Sequence, residues 1–170
     1  MGVSTITNPI AIGSKLLITF FNIKMTWLLK TFDSLTLQEL YAILRLRTEV
    51  FVIEQNCVFQ DMDNKDQQCY HLMGWKDGHL IAYTRLVPPG VSYKEPSIGR
   101  VVTSPVARGN GTGKLLMEKS IEEIIQLYGK TPIKIGAQLY LKKFYESLGF
   151  SQTSNKYDED GIDHIEMNRQ

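Results

Sequence analysis

The chain has 170 residues, which is long enough for one domain with a buried core. Its 43% hydrophobic and 22% charged residues are ordinary for a soluble globular protein. A net charge of +1 gives no overall attraction to nucleic acid or to an anionic membrane, so we expect neither as a partner. Cys57 and Cys69 form no C-x-x-C pattern, and we expect two reduced thiols in a cytoplasmic protein.

The first 24 residues differ in character from the rest of the chain. Residues 10–23 are largely apolar, but Gly13, Lys15 and Asn22 interrupt them, and no unbroken apolar run is long enough to span a bilayer. No basic residue precedes this stretch, whereas a signal peptide requires one. We expect residues 1–24 to be a disordered extension, from an upstream start or added for expression, with a membrane anchor as the less favoured alternative. We expect residues 25–170 to form a single domain.

The first elements that the sequence predicts are helical. Thr36 and Glu39 form a capping box ahead of apolar residues at helical spacing. Residues 48–55 favour a second short helix or a turn. Residues 70–75 and 80–87 then predict two strands of a hairpin, joined by the turn sequence Lys-Asp-Gly-His.

The second half of the chain alternates strands and helices. The predicted order is a strand at 98–103, a helix at 113–128, a short strand at 133–136, a helix within 138–150, and strands at 150–157 and 162–167 around an Asp-Gly turn. Helices first, then antiparallel strands, one β-α-β crossover and a final hairpin predict a mixed α/β sandwich.

The glycine-rich loop after the strand at 98–103 is the most informative segment, and it has the sequence RGNGTGK over residues 108–114. Alternating glycines let a backbone point several N–H groups toward one ligand. The helix that follows adds unpaired N–H groups and the positive end of its dipole, a combination that binds phosphate. Arg108 and Lys114 add positive charge at both ends of the loop.

Two familiar phosphate motifs fail on spacing. A P-loop requires glycine where Arg108 stands, and Ser or Thr where Leu115 follows Lys114. A dinucleotide fingerprint beginning at Gly109 meets Lys114 in place of its third glycine, and no acidic residue follows at the expected distance.

The pattern that fits is Arg-x-x-Gly-x-Gly at positions 108, 111 and 113, which resembles the pyrophosphate-binding motif of the GNAT superfamily of N-acetyltransferases. A second segment, QLYLKKFYESLGF at 138–150, resembles a helix of the same family with the pattern Asn-x-x-Ala-x-x-x-Tyr-x-x-x-Gly-Phe. Its Tyr, Gly and Phe positions match, whereas Gln138 and Leu141 depart from the pattern. Over roughly residues 27–170 the amino-acid sequence also resembles the ElaA-like branch of the family. The segments that carry this resemblance are RTEVFVIEQNCVFQD, HLMGWKDG and DGIDHIEM.

The resemblance implies an α/β (α+β) GNAT acyl-CoA N-acyltransferase fold, whose mixed, mostly antiparallel, twisted central sheet has six or seven strands with about four helices. It implies acetyl-CoA as donor and an acceptor with a primary amine, either a small molecule or a protein, and it allows a homodimer. The cofactor-binding residues that it implies are Val101, Val102, Thr103, Arg108, Gly109, Asn110, Gly111, Thr112, Gly113, Lys114, Gln138 and Tyr145. The histidines are scattered, so we expect no metal site.

Acyl transfer to an amine needs a neutral amine, a stabilised oxyanion and a proton for the departing thiolate. Tyr145 is the general acid that the resemblance implies, although its helical spacing alone favours a place in the core. For the base we consider Glu49, Glu54, His71, His79 and His164, with Glu54 and His71 preferred because such segments border the acceptor site in proteins of this type. A chain of water molecules is the alternative base.

Two arginines lie within predicted strands. Alternation along AYTRLV favours a solvent-facing Arg85, and we expect a structural ion pair for Arg100. The function that the sequence supports best is acetyl transfer by direct attack within a ternary complex. The alternative is an acyl-CoA-binding or regulatory module without efficient catalysis.

Overall fold

The structure is a computed structural model that describes residues 25–170, so the expected extension at 1–24 lies outside the described residues. Three α-helices are present within this range: α1 (Leu37–Arg47), α2 (Thr112–Tyr128) and α3 (Lys142–Glu146). A π-helical segment, Thr48–Glu54, continues α1 without a break. The strands are β1 (Thr26–Thr31), β2 (Tyr70–Lys76), β3 (His79–Val87), β4 (Ser97–Thr103), β5 (Ile133–Gln138), β6 (Ser151–Gln152), β7 (Tyr157–Glu159) and β8 (Ile162–Arg169).

These strands form one eight-stranded sheet with the order β1-β2-β3-β4-β5-β8-β6, and β7 also pairs with β8. All pairs are antiparallel except β4 with β5, which α2 connects as the crossover. The predicted fold class is confirmed. The sheet has more strands than expected, partly because the edge strand β1 was not predicted, and the described chain has three α-helices where about four were expected.

Local signals in the sequence form as predicted. Glu39 N donates to Thr36 Oγ1 at 3.2 Å and Thr36 N donates to the Glu39 carboxylate at 2.8 Å, which completes the capping box at the start of α1. The β2–β3 turn has positive φ at Asp77 (52°) and Gly78 (75°), as a tight hairpin turn requires. The β7–β8 turn at 160–161 has the same property, with φ of 54° and 82°.

The sheet is covered on both faces. On one face α2 packs against β3, β4 and β5, with Met117, Ile124 and Ile135 fully buried. On the other face α1 packs against β3 and β4, where Ile43 and Tyr83 are fully buried. The central strands therefore have little solvent-facing surface. The sheet opens between the neighbouring strands β4 and β5.

Candidate active site

Strands β4 and β5 meet at one end and then separate. Their one pair of facing residues is Ser97 with Lys134, and Lys134 N donates to Pro96 O at 3.1 Å. Further along, the register between β3 and β4 shifts, and Arg100 adopts a left-handed φ of 50°. A bulge of this kind bends a strand away from its neighbour. The backbone of residues 101–103 therefore faces an opening on the β5 side.

The glycine-rich loop begins where β4 ends. Gly109 and Gly111 have φ of 81° and 84°, a conformation that favours glycine. Asn110 Oδ1 accepts hydrogen bonds from Thr112 N at 3.3 Å and Thr112 Oγ1 at 2.6 Å, which fixes the first turn of α2.

Within residues 25–170, no hydrogen-bond acceptor meets the backbone N–H groups of Gly109, Asn110, Gly111, Gly113 and Lys114. A Cβ atom added at any of the three glycines would meet no atom within 4 Å. The loop thus presents free N–H donors to open space at a helix N-terminus, which suits a phosphate group.

Arg108, one of the two basic residues of this loop, forms a bidentate pair with Glu54. Its Nη1 and Nη2 donate to the two carboxylate oxygens at 2.6 and 2.8 Å, and Nη2 also donates to Thr103 O at 3.3 Å. These hydrogen bonds hold the pKa of Glu54 below its usual range. Because the carboxylate is committed to Arg108 and does not line the cavity described next, the geometry speaks against Glu54 as the base.

A cavity of about 480 Å³ occupies the space between β4, β5 and the β7–β8 hairpin. Its lining combines aromatic, amide and charged side chains with glycine backbone. The lining residues on which the argument depends are Phe51, Gln55, Gln138, Tyr145 and His164. A cavity of this size is ordinary for a small-molecule site.

Tyr145, on α3, lines this cavity, and its ring also packs against the hydrophobic core. The side chain is 5% exposed, and its ring meets Phe144 and Phe150 edge-on, with centroids 5.1 and 6.1 Å away. No other group of the described chain hydrogen bonds its hydroxyl. Burial raises the pKa of Tyr145, so the phenol is protonated at neutral pH.

Gln138, at the end of β5, faces Gln55 across the opening. Each amide donates to the other's oxygen, at 3.4 and 3.3 Å. Both side chains line the cavity. Gln138, one of the two residues that depart from the family pattern, therefore lines the cavity at the position where the resemblance implies a cofactor contact.

His164 is the histidine that lines the cavity. Its Nδ1 lies 2.8 Å from Ile162 O, and its ring stacks on Tyr157 with centroids 5.9 Å apart. With Nδ1–H donating to that carbonyl, Nε2 is left as an acceptor. His79, by contrast, is exposed at the β2–β3 turn.

The structure places His71 away from the cavity, which argues against it as the base. His71 is 1% exposed, its Nδ1 meets Tyr83 Oη at 2.9 Å, and its Nε2 meets Asp66 O at 3.1 Å. Burial lowers its pKa, so the ring is neutral, and it does not line the cavity. Both nitrogens are used inside the protein, so neither can take a proton from a substrate.

The solvent-facing placement expected for Arg85 is wrong. Arg85 is 3% exposed because β3 is covered on both faces, and its charge is met by Asp63 and Asp66 at 2.6 and 2.8 Å. The ion pair expected for Arg100 is confirmed, since its Nε donates to Asp61 at 2.7 Å.

Arg47 completes this buried network of three arginines and three aspartates, through Asp61 at 2.7 Å and Asp66 at 2.9 Å. Burial disfavours the charged carboxylates and by itself would raise the pKa values of Asp63 and Asp66. The neighbouring arginines have the larger, opposite effect, so both pKa values are lowered. The network fixes the loop at 57–65, which forms one wall of the cavity. The sequence signal for this network is the spacing Asp-x-Asp-x-x-Asp at 61–66.

Three further expectations concern the cysteines, metal binding and the membrane. Cys57 and Cys69 are free thiols, as predicted, and donate to different carbonyls, those of Asp160 and Lys65. Over residues 25–170 we find no group of three His, Cys, Asp or Glu side chains suited to a metal ion. In the same range, no helix is long and apolar enough to cross a membrane.

Comparison with known proteins identifies the family. The model of the acetyltransferase (GNAT) domain matches residues 33–170. Protein ElaA of Escherichia coli is 41% identical over 140 residues, which cover 81% of this chain and 92% of ElaA. A UPF0039 protein of Synechocystis is 39% identical over 145 residues, covering 85% of this chain and 94% of that protein.

Solved structures agree with the sequence relatives. An acyl-CoA N-acyltransferase from Pseudomonas aeruginosa superposes with a TM-score of 0.83 at 44% identity, covering 86% of this chain and 100% of that one. The crystal structure of E. coli ElaA superposes with a TM-score of 0.81 at 38% identity, with the same coverage of 86% and 100%. The chain is therefore a member of the GNAT acetyltransferase family, with the fold of an acyl-CoA-dependent acyltransferase and ElaA among its relatives.

Proposed function

We propose that this chain transfers an acetyl group from acetyl-CoA to a primary amine, by direct attack within a ternary complex. The observation that carries the proposal is that the opening between β4 and β5 ends at the free N–H groups of the glycine-rich loop. In the proposed complex, the coenzyme diphosphate binds the loop at 108–114, and the pantetheine arm pairs with the exposed backbone of residues 101–103. No metal takes part.

The acyl carbonyl then lies at the opening of the sheet. As the amine attacks, the C–N bond forms and the carbonyl oxygen becomes an oxyanion, which backbone N–H groups of residues 101–103 stabilise. A preorganised donor of this kind is worth about 3 kcal/mol in comparable acyl transfers. Collapse of the tetrahedral intermediate breaks the C–S bond and leaves a thiolate.

Tyr145 is the proposed general acid for that thiolate. Its phenol lines the cavity and is protonated at neutral pH because burial raises its pKa. A buried phenol is a weaker acid than a thiol, whose pKa is about 8.5. Tyr145 therefore stabilises the departing thiolate through a hydrogen bond, and its proton moves to sulfur only together with the return of a proton to the phenol from the attacking nitrogen, which carries one proton more than the amide product.

His164 takes the place of Glu54 and His71 as the proposed base. Its Nε2 is the free imidazole acceptor among the cavity-lining side chains. A proton accepted there leaves the attacking amine neutral. A water chain through the cavity is the alternative route for the same proton.

An acetylation screen tests the proposal. Purified protein is mixed with acetyl-CoA and a panel of small amines, amino acids, polyamines and peptides, and release of free CoA is followed. The proposal expects turnover with at least one amine class. Binding of CoA with no acetylated amine would instead favour the acyl-CoA-binding module. Parallel reactions with a longer acyl-CoA separate acetyl transfer from transfer of other acyl groups.

A further inference from the structure

The cavity extends along β5 beyond the residues that the proposed chemistry uses. Gln138, at the end of β5, pairs with His164 on β8, so both lie at the level of the proposed base. Gly136 precedes Gln138 by two residues and also lines the cavity, because alternate residues of a strand share a face. Gly136 therefore lies about 7 Å from Gln138, toward the end where β4 and β5 meet. An acceptor bound at His164 can reach Gly136 with a second group.

Two phenol hydroxyls converge on Gly136. A Cβ atom added to this glycine would lie 3.2 Å from Tyr93 Oη and 3.2 Å from Tyr157 Oη. Gly136 is nevertheless exposed, whereas its neighbours Ile135 and Ala137 are buried in the core on the other face. The missing side chain thus leaves open space next to two phenol oxygens.

The charge around these phenols is negative. Burial raises the pKa of Tyr157 to about 12, and the Tyr93 phenol and the Glu159 and Glu166 carboxylates act in the same direction. Glu166 is neutralised by Lys134 at 2.9 Å. Glu159 lines the cavity and forms no ion pair in the described part of the chain. Two neutral phenols beside one uncompensated carboxylate favour a cation in this space and disfavour an anion.

A contact within the protein shows how an ammonium group binds here. Lys134 Nζ lies 4.7 Å from the centroid of the Tyr93 ring while it pairs with Glu166. An aromatic face and a carboxylate both stabilise an ammonium group. A ligand ammonium near Tyr157 and Glu159 would meet the same combination of groups.

We infer that Tyr93, Tyr157 and Glu159 form a cation subsite above residue 136, and that the acceptor is an unbranched diamine whose second, protonated amine binds there. The inference rests on the proposed function, in which the first amine is acetylated at the level of His164. A separation of about 7 Å between the two levels matches two nitrogens joined by a chain of about four carbons.

An acceptor with a carboxylate in place of the second amine is the competing class. Lys65 lines the cavity and forms no ion pair among the residues that the structure describes. It lies on the loop at 57–65, near Cys69 and the aspartates of the buried network, and is not among the groups that act on Tyr157. A carboxylate bound above Gly136 would face Glu159 instead. The charges at this level therefore favour the diamine.

Three acceptors of similar length test the inference: 1,4-diaminobutane, n-butylamine and 4-aminobutanoate. The rate of CoA release gives kcat/KM for each. Beyond the twofold gain from two equivalent amines, we expect the diamine to exceed n-butylamine by about tenfold, because an ion pair and a cation–π contact each contribute severalfold. We expect 4-aminobutanoate to be the poorest of the three.

The outcomes separate this inference from the proposed function. A diamine no better than n-butylamine, a preference for 4-aminobutanoate, or turnover of other amines with none of these three overturns the inference and leaves the acetyltransferase standing. Failure of every amine class in the acetylation screen overturns the proposed function, and this inference with it.

Two variants assign the preference to the subsite. In Glu159→Gln, we expect the ratio of diamine to n-butylamine kcat/KM to fall about fivefold, mainly through the KM of the diamine. The control Asp163→Asn removes a carboxylate from the same hairpin, outside the cavity lining, and should keep the wild-type ratio. A wild-type ratio in Glu159→Gln, or an equal fall in both variants, overturns the inference.

Gly136→Ala is the second variant. Its methyl group would meet both phenol oxygens at 3.2 Å, and the position has no positive φ, so the strand accepts alanine. We expect a severalfold higher KM for the diamine at an unchanged Kd for CoA, which also shows that the variant is folded. An unchanged KM for the diamine in the folded variant overturns the placement of the second amine.

Discussion

The carboxylate of Asp63 receives both terminal nitrogens of Arg85, at 2.6 and 2.7 Å, although Arg85 lies almost wholly buried on the central sheet. This pair fixes the loop at 57–65 against β3. The wall of the cavity is therefore set by charge pairing, and substitutions in the network test that dependence.

Replacement of one buried partner should destabilise the fold strongly. Asp66→Asn removes one carboxylate from Arg47 and Arg85, which keep Asp61 and Asp63, and we expect a loss of about 3 kcal/mol, the low end for removing one member of a buried pair. Urea unfolding measures the change. The control Asp163→Asn removes an exposed pair with Lys156 and should cost less than about 1 kcal/mol. Equal small losses in both variants would mean that the network does not hold the loop.

The same network predicts a loss of stability in acid. The pKa values of Asp63 and Asp66 are lowered in the folded chain, so their contribution is complete above the unfolded pKa of about 3.9. It is lost as the pH falls below that value and these carboxylates take up protons. Free energies of unfolding at a series of pH values check this. The acid-induced loss of unfolding free energy should be smaller in Asp66→Asn than in the wild type. An identical loss in the two proteins would contradict a contribution from Asp66.

Tyr145→Phe should separate chemistry from binding. We expect turnover to fall by about 100-fold, at the low end for loss of a general acid, with little change in the Kd for CoA. Stability should hold, because the hydroxyl has no hydrogen-bond partner within residues 25–170. The control Tyr140→Phe alters an exposed neighbour and should keep full turnover. Full turnover of Tyr145→Phe at every pH would exclude the proposed acid.

Gly113→Ala should change stability and binding in opposite directions. Gly113 lies in the first turn of α2 without a positive φ, so alanine is expected to stabilise the helix by about 0.5 kcal/mol. Its methyl group would occupy the open space proposed for the diphosphate, and we expect about tenfold weaker CoA binding, about 1.4 kcal/mol. Thermal unfolding and calorimetry measure the two effects. Unchanged CoA affinity in the stabilised variant would place the diphosphate elsewhere.

The sequence predicted best what is encoded locally. The capping box at Thr36, the turns at Asp77 and Asp160, and the start of α2 each depend on a few adjacent residues, and all form. The alternating glycines of the loop at 108–114 are local in the same way, and Gly109 and Gly111 adopt the positive φ that favours glycine. Edge strand β1 was missed because its six residues show only partial burial, and its pairing with β2 defines it.

The errors concern residues whose environment is set by distant parts of the chain. Alternation predicts one solvent face for a strand, but β3 is covered on both, so Arg85 is buried against acids about 20 residues earlier. His71 lies away from the cavity for a related reason, because its partners are the Tyr83 hydroxyl and the backbone carbonyl of Asp66. Spacing along the chain does not reveal such partners.

The central claim is that the loop at 108–114 binds coenzyme A, and thermal unfolding with acetyl-CoA, CoA and ATP tests it most directly. At about 100 times its Kd, a ligand of the folded state stabilises by about 2.7 kcal/mol, which raises Tm by several degrees. We predict such a rise with both CoA species and none with ATP at the same concentration. An unchanged Tm with either CoA species, or an equal rise with ATP, would contradict the account.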